Sequence, residues 1–300
     1  MEKPFILHMI TAAKNLSPFD VNMACDAGWT VCVPYLQVAL DEVPGLVQDA
    51  IFSRGPKGVK RTGLFLGGRD INLANDMLDA ARGAMVPPFE VSVLADPSGA
   101  FTTAAAMVAC VESELRKLSP EGLAGRRILV FGGTGPVGTA AGMLAAKAGA
   151  DVAIVSHLGL GKAEEVAQAI ADRYEVTLGA EDGSGPDRIA AMMAGADAVF
   201  NAAAAGVQVL NADQVEAGTR LKVACDVNAV PPEGIEGVGV MDRGVPIDGS
   251  HSGALGIGAL AVGNVKYQVQ QALLRQMHEA GFPQYLGLDA AFEMARRHVD

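Results

Sequence analysis

Short apolar runs alternate along this chain with stretches whose apolar residues recur every three to four positions. Phe5-Ile6-Leu7-His8-Met9-Ile10 reads as a strand, and Pro18-Phe19-Asp20 opens a helix with proline in its first turn, carboxylates Asp20 and Asp26 nearby and Gly28 at its close. Trp29 to Val33 is strand-like, Val43 to Ile51 helical, and Thr62 to Gly68 a buried strand ending in a glycine turn. Ile71, Ala74, Met77, Leu78 and Ala81 keep helical spacing within Asp70 to Arg82, and Phe89 to Leu94 alternates as another strand. An alanine-rich helix follows from Thr102 to Leu118, entered from Asp96-Pro97-Ser98-Gly99 and left at Ser119-Pro120-Glu121-Gly122, which reads as a domain boundary.

Beyond that turn the pattern repeats with more regularity. Arg127-Ile128-Leu129-Val130-Phe131 is a strand, a glycine-rich turn follows, Val137 to Ala148 is helical and Asp151 to Val155 is a second strand, which together make a βαβ unit. Ala198 to Asn201 and Lys222 to Asp226 are further strands, and Ala261 to Arg275 and Leu288 to Arg297 are helical. This order predicts an α/β fold with a Rossmann-type doubly wound parallel sheet, helices on both faces, and a smaller α/β domain ahead of it.

Composition narrows the function. With 300 residues, 50% of them hydrophobic and 36 glycines, the chain can fill two cores and turn tightly between elements. A net charge of -11 and no Lys/Arg run exclude a nucleic-acid binder, so any anionic ligand has to be held by local groups. Cys25, Cys32, Cys110 and Cys225 form no CxxC pair, which indicates neither metal nor disulfides; all four read as small, reduced core residues. No apolar stretch reaches the length of a membrane span and the N-terminus lacks a signal-peptide core, so the expectation is a cytoplasmic protein without membrane partners.

Chemistry enters at Gly133-Thr134-Gly135-Pro136-Val137-Gly138, a G-x-G-x-x-G stretch between an apolar strand and a small-residue helix. In that setting the first glycine makes the turn, the second lets a pyrophosphate reach the backbone and the third lets helix and strand pack closely, with the helix N-terminus facing the diphosphate. This predicts a nicotinamide dinucleotide and hydride transfer. The second strand ends Val155-Ser156-His157 with no carboxylate to accept from a ribose hydroxyl, and Ser156, His157 and Lys162 could donate to a 2′-phosphate, so NADP is favoured with NAD possible. Asn201-Ala202-Ala203-Ala204-Ala205-Gly206 follows the next strand, where Ala203 and Ala204 would let the dinucleotide lie flat. Asp226-Val227-Asn228-Ala229-Val230-Pro231-Pro232 follows another, with Asn228 and Val230 set to meet the nicotinamide.

Taken together, Ser98 to Ala106, the glycine loop, Asp226 to Pro232 with Gly234, and Gly253-Ala254-Leu255-Gly256-Ile257-Gly258 resemble, in order and spacing over essentially the whole chain, the bacterial NAD(P)-dependent methylene-tetrahydromethanopterin dehydrogenases. The resemblance implies oxidation of a methylene group bridging two nitrogens to the methenyl cation, with a tetrahydromethanopterin-type one-carbon carrier as substrate, in one-carbon metabolism of methylotrophs. It further implies a fold like that of tetrahydrofolate dehydrogenase and cyclohydrolase enzymes, with residues 1–120 as the pterin-side domain joined by the C-terminal segment 261–300 and residues 121–260 as the dinucleotide domain; a homo-oligomer is expected besides. Phe19 and Asp20 match a Phe-Asp pair near the family's pterin site, and Lys266 matches its active-site lysine, with Gln270 one turn further on the same helix face. Ser98, Thr102 and Thr103 are candidate substrate contacts.

No Ser-His-Asp arrangement, metal cluster or paired carboxylates stand out, and hydride loss from a carbon between two nitrogens needs none, because the product cation is shared by both nitrogens and no proton leaves. Orientation and water exclusion, with placed negative charge, suffice. Two competing readings remain at this level: a methylene-tetrahydrofolate or shikimate-type dehydrogenase, which a substrate panel separates, and a non-catalytic NADP- or pterin-binding protein, marked by nucleotide binding without hydride transfer.

Overall fold

The computed structural model describes residues 3–299. Its chain divides into two compact units. One comprises the chain up to Thr102 together with Tyr267–Met294, and the other comprises Thr103–Lys266 with the residues from Ala295 onward.

The first unit is built from β1 (Ile6–Thr11), α1 (Pro18–Asp26), β2 (Val31–Tyr35), α2 (Val43–Phe52), the short α3 (Gly55–Val59), β3 (Thr62–Gly67), α4 (Ile71–Gly83) and β4 (Ser92–Ala95), after which α5 (Ala100–Leu118) leads out of it. α1 starts as its sequence dictates: Ser17 caps it by accepting from the Phe19 N–H at 3.2 Å, and Pro18 takes the first position, where a missing N–H costs nothing. Asp70 does the same for α4, accepting from the Asn72 and Leu73 N–H groups. β3 is buried along its whole length and sits centrally, flanked by β1 and β4, in an all-parallel five-stranded sheet that a C-terminal strand completes.

The second unit continues with β5 (Arg127–Phe131), α6 (Pro136–Lys147), β6 (Asp151–Ser156), α7 (Leu160–Tyr174), β7 (Gly179–Asp182), α8 (Pro186–Met193), β8 (Ala198–Asn201), α9 (Ala212–Glu216), β9 (Val223–Asp226), β10 (Arg243–Pro246) and β11 (Leu255–Ile257). The chain then runs through α10 (Ala259–Glu279), β12 (Tyr285–Leu286) and α11 (Leu288–Arg296), of which β12 pairs in parallel with β4 at the edge of the first sheet. The second sheet has the order β10-β11-β9-β8-β5-β6-β7, parallel except for the β10–β11 pair. The order reverses around β5, where β6 and β8 lie on opposite sides, and such a switch point opens a crevice at the carboxyl ends of the strands. A cluster of Leu129, Phe131, Ala153, Val155, Val199, Leu210 and Ile235 packs one face of this sheet.

Several boundaries differ from the sequence reading for physical reasons. The second strand starts at Val31 because Trp29 is used elsewhere, buried and donating its indole N–H to the Leu274 carbonyl at 3.1 Å. Of the stretch Phe89 to Leu94 only the end is strand, since Val86 and Phe89 pair with each other across a tight turn before β4 begins at Ser92. The glycine-rich stretch near Gly256, given no element in the sequence reading, holds β11; a Cβ on Gly258 would lie 2.0 Å from the Gly239 carbonyl, so close backbone approach explains that glycine. The cysteines are not uniformly core: Cys225 is buried, Cys32 and Cys110 are partly covered, and Cys25, on the last turn of α1, faces solvent.

Candidate functional site

At the carboxyl ends of β5, β6 and β8 lies a cavity of about 460 Å³, a size typical of small-molecule sites. Phe131, Thr134, Gly135, Val155, His157 and Ala202 to Ala204 are among the residues that line it. The glycine loop forms one wall, and its glycines divide the work differently from the sequence expectation. The turn is made by Gly132, with φ of +68° and no room for a Cβ, which would sit 2.4 Å from the Ala203 nitrogen. Gly133 is buried instead, where a Cβ would meet the Ile154 side chain of β6 at 2.7 Å. Gly138 lets α6 close on the loop: a Cβ there would stand 2.3 Å from the Gly132 carbonyl oxygen.

Gly135 is different. Its only close neighbour on the Cβ side is the Gly132 oxygen at 3.3 Å, and it lines the cavity. It is also the N-cap of α6, with no side chain to satisfy the first-turn N–H groups, and Pro136 stands at the first helical position. A helix start left uncapped beside a cavity is a phosphate-binding arrangement, and the bare Cα of Gly135 leaves the room a pyrophosphate needs. Thr139 holds the loop from behind by donating its hydroxyl to the Gly133 carbonyl at 2.9 Å. Val137 follows Pro136 in the first turn of α6 and is partly exposed.

The opposite wall is fixed by a buried polar network. Asp226, at the end of β9, accepts from the Asn201 side-chain amide at 2.8 Å and from the backbone N–H groups of Asn228, Gly234 and Ile235. Asn228 in turn accepts from the Gly206 and Val230 N–H groups and donates to the Pro232 carbonyl. Asn201 accepts from the Ala203 N–H at 3.0 Å, which sets the backbone of the alanine run against the cavity. Asn228 is therefore an internal strut, while Val230 is half exposed. Asp226 and Asn201 escaped the sequence reading as side chains with a role, although each stood at the end of an expected strand.

At the end of β6, Ser156 is buried and its hydroxyl accepts from the Leu158 N–H at 3.1 Å, so that oxygen is already used locally. His157 lines the cavity and is exposed, and Lys162, on α7, pairs with Glu165 at 2.9 Å.

In the first unit a smaller cavity of about 330 Å³ is bounded by Thr11, Asn15, Ser17, Asp20, Arg69 and Ser98, among others. Asp20 is 3% exposed and accepts from the Gln270 amide at 2.9 Å, so that a cavity residue of α1 is held by one 250 positions later. Phe19 is nearly half exposed. Ser98 holds a left-handed conformation at φ of +52° and donates to the Gly68 carbonyl at 2.6 Å, a strained turn kept at the cavity edge. Thr102 is fully buried, and both its hydroxyl and its N–H go to Asp96, which caps the start of α5. Thr103 is partly buried on the same helix; Lys266, one turn before Gln270 on α10, is partly covered. Asn15 and Arg69 are cavity residues that sequence reasoning passed over, since neither belongs to a periodic pattern or a motif.

Among the described residues no cysteine lines either cavity. Burial, reinforced by the Cys25 neighbour, pushes the Cys32 thiol up to about 12; burial pushes that of Cys110 to about 12, and the fully buried Cys225 thiol is raised well above its ordinary range.

Fold and loop together define a two-unit Rossmann-type oxidoreductase scaffold. Among solved structures it is similar to shikimate 5-dehydrogenase from Listeria monocytogenes (TM-score 0.55, 15% identity, 97% of this chain and 96% of that one). An NAD-dependent malic enzyme from Thermotoga maritima is also similar (TM-score 0.54, 14% identity, 98% and 83%). Residues 18–98 match the family described as methylene-tetrahydromethanopterin dehydrogenase, N-terminal. Over 290 residues the chain is 46% identical to the NAD(P)-dependent methylenetetrahydromethanopterin dehydrogenase of Methylorubrum extorquens, covering 97% of each, and it is 31% identical to that organism's Bifunctional protein MdtA, covering 93% and 94%. The chain belongs to the methylene-tetrahydromethanopterin dehydrogenase family.

Proposed function

We propose that this protein oxidises methylene-tetrahydromethanopterin to the methenyl cation with NAD(P) as hydride acceptor. The observation that carries the reading is the uncapped start of α6, with the open Gly135 beside a cavity at the switch point of the second sheet, in a chain of this family. When bound, the nicotinamide supplies the site that accepts the hydride. The chain's own residues bind and orient: Thr134, Gly135 and the first turn of α6 take the pyrophosphate, and the Ala202–Ala204 backbone, held by Asn201, forms the floor. Asn228 keeps the loop after β9 in place.

On the substrate side, Asp20 holds a carboxylate in a buried position, where it favours a pterin as it becomes cationic; Gln270 orients that carboxylate through its amide. Phe19, exposed beside it, offers a ring to a flat heterocycle. Lys266 serves as a hydrogen-bond donor and not as a base, since the reaction removes no proton. We assign the reaction to the cytoplasm, a reducing compartment that suits four free cysteines; separately, among the described residues no helix is long and apolar enough to cross a membrane.

The test is a cofactor-reduction assay with methylene-tetrahydromethanopterin and methylene-tetrahydrofolate side by side. The expected result is a rate well above that of the folate with the methanopterin substrate. Equal or reversed rates overturn the pterin assignment.

A further inference from the structure

In a Rossmann unit the carboxylate that recognises the adenosine ribose stands at the end of the second strand. Here that strand, β6, ends in Ser156, whose hydroxyl is buried and engaged with the Leu158 N–H. A carboxylate does stand at this rim, but one strand over. Asp182 ends β7 directly opposite Ser156 in the parallel register. The next residue, Gly183, lines the cavity, and only glycine lets the chain leave β7 flush with β6, because a Cβ would lie 2.7 Å from the Val155 side chain.

Asp182 is not alone. One of its oxygens accepts from the Ser184 N–H at 2.9 Å and the Ser184 hydroxyl at 2.6 Å, and the other pairs with Arg188 in the first turn of α8. The residue after Arg188, Ile189, also lines the cavity. The two partners differ in freedom: the Asp182 side chain is 17% exposed and that of Arg188 63%. The rim thus holds a fixed carboxylate and a solvent-facing guanidinium, each adjacent in sequence to a cavity-lining residue.

We propose that the Asp182–Arg188 pair selects between cofactors: the carboxylate accepts from the 2′-hydroxyl of NAD, and the guanidinium turns to the 2′-phosphate of NADP. This rests on the reading that the cavity takes a dinucleotide. A carboxylate has about four acceptor positions and Asp182 uses three, so one remains for a hydroxyl. The planar guanidinium matches a phosphate in a two-point contact, and because the Arg188 end of the pair is solvent-facing, its turn from the carboxylate to a phosphate exchanges one solvent-screened partner for another, while Asp182 keeps its Ser184 contacts. Because each cofactor meets one favourable partner, the site accommodates both, unlike a lone carboxylate at the end of β6, which would repel the 2′-phosphate.

The experiment is titration of NADH and NADPH onto wild-type protein and onto Arg188→Gln, Arg188→Lys and Asp182→Asn at fixed low salt. Arg188→Gln is expected to weaken NADPH on the order of tenfold while leaving NADH within about twofold, the size of one charge-assisted contact. Arg188→Lys should retain part of the NADPH affinity, and Asp182→Asn should shift the ratio the other way, toward NADPH. Added salt should erode the NADPH advantage of wild type more than that of Arg188→Gln. Should Asp182→Asn melt early through loss of the Ser184 contacts, the exposed Arg188 variants carry the test by themselves. If wild type binds both cofactors and the Arg188 variants change both affinities by the same factor, the selector is overturned and the dinucleotide reading stands. If wild type binds neither, both fall.

Discussion

Asp226 shows how much a single buried side chain can organise: four donors from three chain segments converge on one carboxylate that is 1% exposed. Asp226→Asn keeps the shape but turns one acceptor into a donor, facing either the Asn201 amide or the Gly234 and Ile235 N–H groups. Stranding such a donor costs about 1–3 kcal/mol. We expect Asp226→Asn to lower stability by about that much in chemical denaturation and to raise the KM for NAD(P) more than it lowers kcat, because Asn201 also orients the Ala203 backbone; an unchanged denaturation midpoint would remove Asp226 from this role. His8 works in the opposite sense, as a group whose neutral form the fold favours. Burial, with a smaller contribution from Arg54, lowers its pKa below the ordinary 6.5, and its Nδ1 lies 3.0 Å from the Tyr35 hydroxyl. The unfolded chain therefore binds a proton more readily than the folded one, and stability drains away as pH falls through 6.5 toward the lower folded value. Replacing His8 by Gln should flatten that part of the stability–pH curve, measured as urea midpoints between pH 7 and 5; an unaltered slope would assign the acid sensitivity to other groups.

At the scale of elements, the glycine loop separates fold from binding. A methyl at Gly138 meets the Gly132 oxygen at 2.3 Å, so Gly138→Ala should destabilise the protein by about 1–3 kcal/mol, as overpacking does. Gly135→Ala meets only one atom, at 3.3 Å, and should melt close to wild type while losing tenfold or more in dinucleotide affinity, because its methyl stands where the diphosphate approaches. A calorimetric melt and a cofactor titration of the two variants decide it: if Gly135→Ala binds normally, the loop only shapes the fold. The same loop marks how far the sequence could be read. Its strand–loop–helix context was legible because strand and helix periods differ and glycines cluster between them, whereas the turn-making role of Gly132 was not, since it depends on the Ala202–Ala203 backbone some 70 residues away in sequence. Long helices such as α5 and α10 were read within a few residues. β7, β10 and β12 went unread because they are short, partly exposed edge pieces of two to four residues, with too few positions for any alternation to register. The Asp20–Gln270 contact lay beyond pattern reading for a related reason. Nothing local at either residue announces a partner 250 positions away.

At the scale of the whole molecule, the path of the chain matters more than the number of its units. The first unit is not continuous in sequence, since it takes back Tyr267–Met294 after the second unit has been built. That returning segment contributes β12 to the first sheet, accepts from Trp29 through the Leu274 carbonyl and from Ser92 through the Met277 carbonyl, and places Gln270 on Asp20. It also buries Leu273, Leu274, Met277 and Leu286. At about 1.5–3 kcal/mol for each such side chain, these four contribute about 6–12 kcal/mol, comparable with the whole net stability of a domain, about 5–15 kcal/mol. A fragment ending at Leu118 should therefore fail to fold on its own, even though it contains four of the five strands of its sheet. Expressed alone it should show no near-ultraviolet circular dichroism, rapid proteolysis and no cooperative urea transition, and co-expression with residues 259–299 should restore protection. A cooperative transition in the isolated fragment would mean that the returning helix decorates the unit and does not complete it. Asp20 would then be oriented by its own unit's first half, and Gln270 would become an accessory to the carboxylate instead of the group that holds it.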